Sequence, residues 1–446
     1  MVSTNPPPLA RRTLLFAVLA ALCIRTGRAQ PVDSLLQDPA SLWQTTQETF
    51  TPLALPFGFQ WNSLQRESAR AVRPEMTLGP LPVVELNARF TAQTLTSLTL
   101  LLYSSGDSGG TSREAYETLI RNGTEFLSAL TRSKPQARGQ DPNNAVRADG
   151  LVWKTPGTLW TLEFSITRKN TPQGPKFFPE FVRLELTPEK APRKPGQTAA
   201  QTAALKPKQK VRKLPSGDVF IEGIPMVDQG RKGYCFPASA ERVLRYHGMR
   251  VDQHEIAQLA GNMGSGTSQQ AGIEGLKTAG TRLQFRVRPI DQFSTGLESF
   301  LKEYNRQAAR YGPKFQIPPL QGVVDVQALY ASLRPDIFAQ ARQAQKLEKN
   351  RFLRALQGSI DEGHPLMWCV ALGLAREQTP ALQTAGGHAR LLVGYNAKTQ
   401  ECLYSDSWGA GHELKRMGFD DAWLMHQCCF LLIPQGIESP SLSQDR

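Results

Sequence analysis

Cysteine and histidine are scarce in this 446-residue chain, with six of each. Residues 30–188 contain neither, so that stretch offers no thiol, imidazole or soft metal ligand. No His-Glu-x-x-His or Cys-x-x-Cys spacing occurs anywhere, and no catalytic metal or other cofactor is expected. Apart from residues 13–24, no long apolar run is present, which excludes an integral membrane bundle. No fixed-period repeat is found. A basic stripe interleaved with aromatics is also lacking, although the net charge is +13. That charge is concentrated in two places. Four arginines and no acid fall within residues 1–29, and residues 189–213 hold eight Lys/Arg against one acid. The rest is near neutral, so no nucleic-acid partner is expected.

Residues 1–29 read as a secretory signal peptide. Arg11 and Arg12 precede the apolar core Thr13–Ile24, and Gly27 and Ala29 are the small residues of a cut site. The mature chain is therefore expected to be exported, periplasmic or extracellular, with no stable membrane span. Five cysteines would remain, Cys235, Cys369, Cys402, Cys428 and Cys429. An odd number leaves at least one thiol unpaired within the chain. Pairing among the last four stays open. Because Cys428 and Cys429 alternate across a strand, at most one is expected to face a core.

Residues 30–188 read as an α+β domain. Strands are expected at 83–86 and 90–103, on either side of a Pro156-Gly157 turn within 151–166, and at 181–186. Residues 112–130 read as a helix, with Ala115, Leu119, Phe126 and Leu130 among its apolar positions. No function attaches to this domain. Residues 189–217, rich in Lys, Pro, Ala, Gln and Thr, read as a solvated linker open to proteolysis.

Residues 218–446 hold the remaining cysteines and all six histidines. After a strand at 219–224, a helix starts at Cys235. Pro237 suits its first turn, and Gly248 ends it. Ala240, Val243, Leu244 and His247 follow the spacing of one buried face. A cysteine at a helix N-terminus sits where the dipole favours the thiolate, the nucleophilic form. Gln229, six residues earlier beside a glycine, can fold back to offer its amide to an oxyanion. Asp252 caps the next helix, with His254 expected at the surface; the glycine-rich segment Met263–Thr267 reads as a cleft-side loop. A largely helical stretch, broken near Pro313 to Pro319, then runs over 293–360, followed by strands at 366–372, 388–395, 401–406 and 428–433. A hairpin centred on Ala397 would set His388 opposite Asp406, unless a bulge shifts the register. The other histidines read as structural.

Gln229, the Cys235-Phe-Pro-Ala-Ser helix start, Gly386-Gly-His388 and Asp406-Ser-Trp-Gly together resemble papain-like cysteine peptidases. The Pro-Ala-Ser segment and the aspartate are closer to the bacterial branch resembling bacteriocin leader-processing (double-glycine) peptidases. That branch usually has Gly where Phe236 stands. The resemblance covers 218–446 and implies a two-lobed catalytic domain, a helical lobe facing an antiparallel β lobe, with the N-terminal α+β domain separate. It implies a Cys235 nucleophile, His388 as base and acid, and Asp406 orienting the imidazole. Gln229 would line the oxyanion hole and Trp408 would shield the His–Asp hydrogen bond. The substrate would be a peptide or protein. The alternatives are a cell-wall amidohydrolase or transglutaminase-like acyltransferase on the same fold, and a non-catalytic binding protein on a peptidase fold.

Overall fold

The computed structural model describes residues 30–437, apart from 74, 139–147, 172–173, 190–206, 231–232, 250, 261–268, 293–295, 320–328, 330–331 and 378–382. Residues 1–29 and 263–267 and most of 189–217, read above as a signal peptide, a cleft-side loop and a linker, lie outside the described residues. Contacts divide the chain into two units, one of residues 1–141 and 147–194, the other of 142–146 and 195–446.

The first unit is built on an eight-stranded antiparallel sheet. Its strands in chain order are β1 (Gln30–Pro31), β2 (Gln60–Trp61), β3 (Ser68–Ala71), β4 (Met76–Leu78), β5 (Leu81–Val83), β6 (Glu85–Thr91), β7 (Thr94–Ser104), β8 (Gln136–Ala137), β9 (Asp149–Thr155), β10 (Thr158–Thr171) and β11 (Gly174–Pro188). The large sheet runs β2-β3-β6-β7-β11-β10-β9-β8, and β1, β4 and β5 form a small one. The Pro156-Gly157 turn joins β9 to β10, with Gly157 at φ +77°. Helix α1 (Gln47–Ala54) is followed by α2 (Arg113–Thr131), which Ser112 caps through the Ala115 N–H. Not all of the apolar positions of α2 are buried. Tyr116, Gly123 and Leu127 face the sheet, while Ala115 and Leu130 are exposed. Tyr116 sets this rotation by donating to the carbonyls of Ser165 and Phe181, and Gly123 lets the helix approach Leu162 closely.

The second unit begins before the expected end of the linker. Residues 207–210 form a 3-10 turn, and β12 (Val211–Lys213) pairs with β13 (Asp218–Ile221). Lys210 donates to the Tyr246 carbonyl and lies 4.0 Å over the Tyr246 ring. A basic residue that composition assigns to solvent thus anchors the end of a helix. The sheet runs β12-β13-β16-β15-β19-β14, antiparallel throughout, with β17 paired to β16 and β18 to β17. Here β14 is Phe285–Gln292, β15 Leu366–Leu372, β16 Gly386–Asn396, β17 Glu401–Ser405, β18 Lys415–Gly418 and β19 His426–Pro434. Sequence reading misses β14 and β18. Pro289 argues against a strand, but β14 is an edge strand with a register shift at the proline. The helices are α3 (Cys235–Tyr246), α4 (Gln253–Leu259), α5 (Gln269–Leu283), α6 (Leu297–Ala308), α7 (Pro335–Ala344), α8 (Lys346–Asp361) and α9 (Phe419–Met425).

Both faces of this sheet are covered. On one, Phe236, Val243 and Ile273 pack with Met367, Cys369, Cys428 and Phe430; on the other, Phe352, Leu356 and Trp423 pack with Trp368, Cys429 and Leu431. Cys428 and Cys429 are therefore both buried, against the one-sided expectation. All five described cysteines are free thiols. His254 is buried as well, against Tyr234, rather than on the surface. His426 is enclosed between Trp368 Nε1, which donates to its Nδ1, and Asp291, 3.0 Å from its Nε2.

His247 closes α3 with its Nε2 buried and unpartnered. Burial, reinforced by His364 and Lys210, pushes its pKa down to about 3. The ring is neutral when folded and free to charge when unfolded. Its contribution to stability is present above pH ~6.5 and is lost as the pH falls toward 3. Burial lowers His426 in the same sense. Between pH 7 and pH 4 His247 should remove about 3 kcal/mol of unfolding free energy. Urea titrations should show that His247→Phe flattens this dependence; an unchanged slope would contradict the assignment.

Candidate active site

The site is assembled from both ends of the second unit. Cys235 is the first residue of α3, whose first helical hydrogen bond runs from Ala238 N–H to the Tyr234 carbonyl. Pro237 lies in the turn whose N–H groups have no helical partner. Cys235 is half-buried. Ser239, one turn on, donates to the Ala389 carbonyl (3.2 Å) and ties the helix to the strand carrying His388.

His388 is the third residue of β16, and Asp406 follows the last residue of β17. They meet, but not in the expected register. The strands pair Leu391 with Ser405 and Asn396 with Glu401, with a bulge between Leu392 and Gly394. Asp406 lies beyond the paired segment, and its carboxylate reaches His388 diagonally: Nε2 is 3.0 Å from Oδ1. Nδ1 is buried with no hydrogen bond of full geometry, and the Cys235 thiol acts on the same ring. With Nε2 on Asp406, Nδ1 is the nitrogen presented to Cys235. Burial disfavours the imidazolium, but Asp406 and Cys235 more than offset it and hold His388 above its ordinary pKa.

Asp406 is wholly enclosed. Arg390 Nε lies 2.9 Å from Oδ1, and Lys415 donates to Oδ2 at 2.8 Å. Burial would favour the neutral acid, but Arg390, His388 and Lys415 outweigh it and hold the carboxyl well below the usual range. Arg242 of α3, also fully buried, donates to the carbonyls of Pro225 (2.9 Å) and Asp406 (2.8 Å) and to Ser405 Oγ (2.6 Å). It joins the cysteine helix to the aspartate segment and to the chain leading into Gln229.

Gln229 comes to the same place. Its N–H donates to the Ser407 carbonyl, and Ser407 Oγ donates to its Oε1 at 2.7 Å. The amide is thereby oriented with its NH2 end away from Ser407. Gly230 follows at φ +69°, its N–H bonded to Asp228. Trp408 stacks on His388, ring centroids 4.5 Å apart and planes 18° apart, and Gly409 makes the turn beyond it at φ +80°. All five residues expected from sequence, Gln229, Cys235, His388, Asp406 and Trp408, thus come together. Arg242, Arg390, Lys415 and Ser407 were not expected. For Arg390 a signal existed: two residues after His388 on a strand, it shares that residue's face. Among the described residues no group of His, Cys, Asp and Glu could hold a metal ion.

Residues 221–428 match the model of the Peptidase_C39 like family. Over this segment, somewhat under half of its length, the chain is similar to cysteine peptidases of that family. The solved structures similar to the chain include the peptidase domain of Streptococcus ComA, described as a bi-functional ABC transporter involved in a quorum-sensing pathway. That match has 13% identity and a TM-score of 0.25, and covers 48% of this chain and 100% of that one. Xylellain, a cysteine protease from Xylella fastidiosa, matches with 12% identity and a TM-score of 0.25, over 51% of this chain and 88% of that one. No curated protein sequence matches. Gln229, Cys235, His388, Asp406 and Trp408 all fall within the matched segment.

Proposed function

We propose that the chain is an exported enzyme whose peptidase domain hydrolyses peptide bonds through Cys235, His388 and Asp406. The observation that carries this reading is His388: Nε2 is held by a buried carboxylate and Nδ1 is left for a thiol at a helix N-terminus. The Cys235 thiolate attacks the scissile carbonyl carbon. Gln229 NH2 and the Cys235 N–H donate to the oxyanion, and the His388 imidazolium gives its proton to the leaving amine. The resulting thioester is hydrolysed by a water that His388 deprotonates. Asp406 fixes the tautomer that presents Nδ1 to sulfur, and Trp408 covers the His–Asp bond.

In the same reading the domain is two-lobed and papain-like, and residues 30–188 form a separate accessory domain after a cleaved signal segment. The substrate is a peptide or protein. A thiol-directed epoxide should label Cys235, and purified protein should release fragments from a mixed peptide library but not from peptidoglycan. Release from peptidoglycan alone would favour an amidohydrolase. Absence of labelling would favour a binding protein on the same fold.

A further inference from the structure

Asp406 carries more compensation than a carboxylate needs merely to hold one imidazole. Behind its two cations stands Glu377. Its Oε1 accepts from Arg390 Nη2 at 3.1 Å, and its Oε2 accepts from Tyr404 OH at 2.7 Å and Lys415 Nζ at 3.4 Å. Two carboxylates thus face two cations, and all four side chains are at most 7% exposed. Burying four ionised groups is expensive, and apolar side chains often serve stability as well. The electrostatic consequence for His388 is specific. A bare buried carboxylate beside an imidazole over-stabilises the imidazolium, which then becomes a poor proton donor to a leaving amine. A carboxylate shared with two cations keeps its directional acceptor for Nε2–H while much of its field is cancelled.

We propose that Arg390, Lys415 and Glu377 are positioning residues that set the proton affinity of His388 by neutralising Asp406. The inference rests on the catalytic reading of Cys235, His388 and Asp406. It assigns opposite effects to two neighbouring groups. Losing the Lys415 cation leaves Asp406 under-compensated and stabilises the imidazolium. Losing the Glu377 anion frees the cations to act on His388 and destabilises it. The other charged groups facing the site are Arg242 on α3, on the Asp406 carbonyl, and His412, on which Lys415, Asp406, Glu413 and Asp228 act. None is altered by the substitutions below.

The test uses the full chain and two readouts: the pH dependence of kcat/KM on a cleaved peptide, and that of Cys235 alkylation by iodoacetamide, with glutathione as the reference thiol. In Lys415→Met the alkaline limb of the kcat/KM profile, which follows loss of the imidazolium proton, should move up by about one pH unit, and in Glu377→Gln it should move down, while alkylation checks that Cys235 remains a reactive thiol in each variant. The Lys415→Met/Glu377→Gln double variant removes one charge of each sign and should return the limb to its wild-type position. A purely structural role would lower amplitude and melting temperature without moving the limbs in opposite directions. Limbs that stay fixed, or move the same way, in variants that melt cooperatively overturn the inference. Wild-type Cys235 alkylated no faster than glutathione below pH 7 removes the catalytic reading, and this inference with it.

Discussion

Cys235→Ser is expected to lower kcat/KM for peptide hydrolysis by about 10³-fold or more while leaving thermal stability within about 1 kcal/mol of wild type. The two expectations have separate causes. A serine hydroxyl is a far weaker acid than a thiol, so the imidazole cannot hold it ionised, and the reacting anion disappears. In volume and packing the exchange is small. Cys235 is half-buried at the start of α3 and makes no structural hydrogen bond that the helix depends on. Cys369→Ser is the informative control. Cys369 is buried opposite Cys428 on the paired strand, in the core under α3. Its substitution places a hydroxyl among apolar groups and should lower stability more than activity. Steady-state kinetics with thermal melts of both variants would decide. Near-normal turnover in Cys235→Ser alongside a dead but folded Cys369→Ser would place the nucleophile elsewhere.

Asp406→Ala should have the largest effect on stability, about 3–5 kcal/mol, because it strands Arg390 and Lys415 with Glu377 as their one remaining carboxylate. Activity should fall by about 10²–10⁴-fold as His388 loses the group that fixes its tautomer. Resemblance to papain-like enzymes, where asparagine serves at this position, implies that Asp406→Asn keeps partial activity and that Asp406→Ala loses more. The structure adds a stability cost to that expectation. Asparagine can still accept from His388 Nε2–H, so turnover should exceed that of the alanine variant. It cannot neutralise the cations, so the stability loss should be nearly as large. Asp406→Asn/Lys415→Met restores charge balance and should recover part of that loss. Urea unfolding and kcat/KM measured on the three variants test this. Negligible effects of both single substitutions would take Asp406 out of the site.

The candidate triad was legible because its members sit in patterned sequence. A cysteine followed by Pro-Ala-Ser at a helix start, and a histidine and an aspartate on consecutive strands, are local features. The geometry joining the last two was not legible. A hairpin centred on Ala397 gives the right pair in the wrong register, because the bulge near Val393 displaces β17 and leaves Asp406 beyond the ladder. The cations were missed for a different reason. Arginine and lysine in a sequence read as solvated, and nothing local shows that Arg390 and Lys415 converge from β16 and β18 on the Asp406 carboxylate while Arg242 reaches its carbonyl from α3. The continuous apolar run in β19, Cys428 to Ile433, did carry the signal of a strand buried on both faces, which the alternation argument for Cys428 and Cys429 set aside. The segment at 207–213 was hidden by its composition, since Lys210 works by anchoring α3 rather than by solvation.

Trapping the acyl-enzyme tests the central claim most directly. Full-length protein would be mixed with a cleavable peptide, quenched in acid within one turnover, and mapped by mass spectrometry. The account predicts a substrate-derived acyl group on Cys235, released by hydroxylamine as a thioester requires and absent from Cys235→Ser. Turnover with no adduct on Cys235, or an adduct on any other residue, would contradict it.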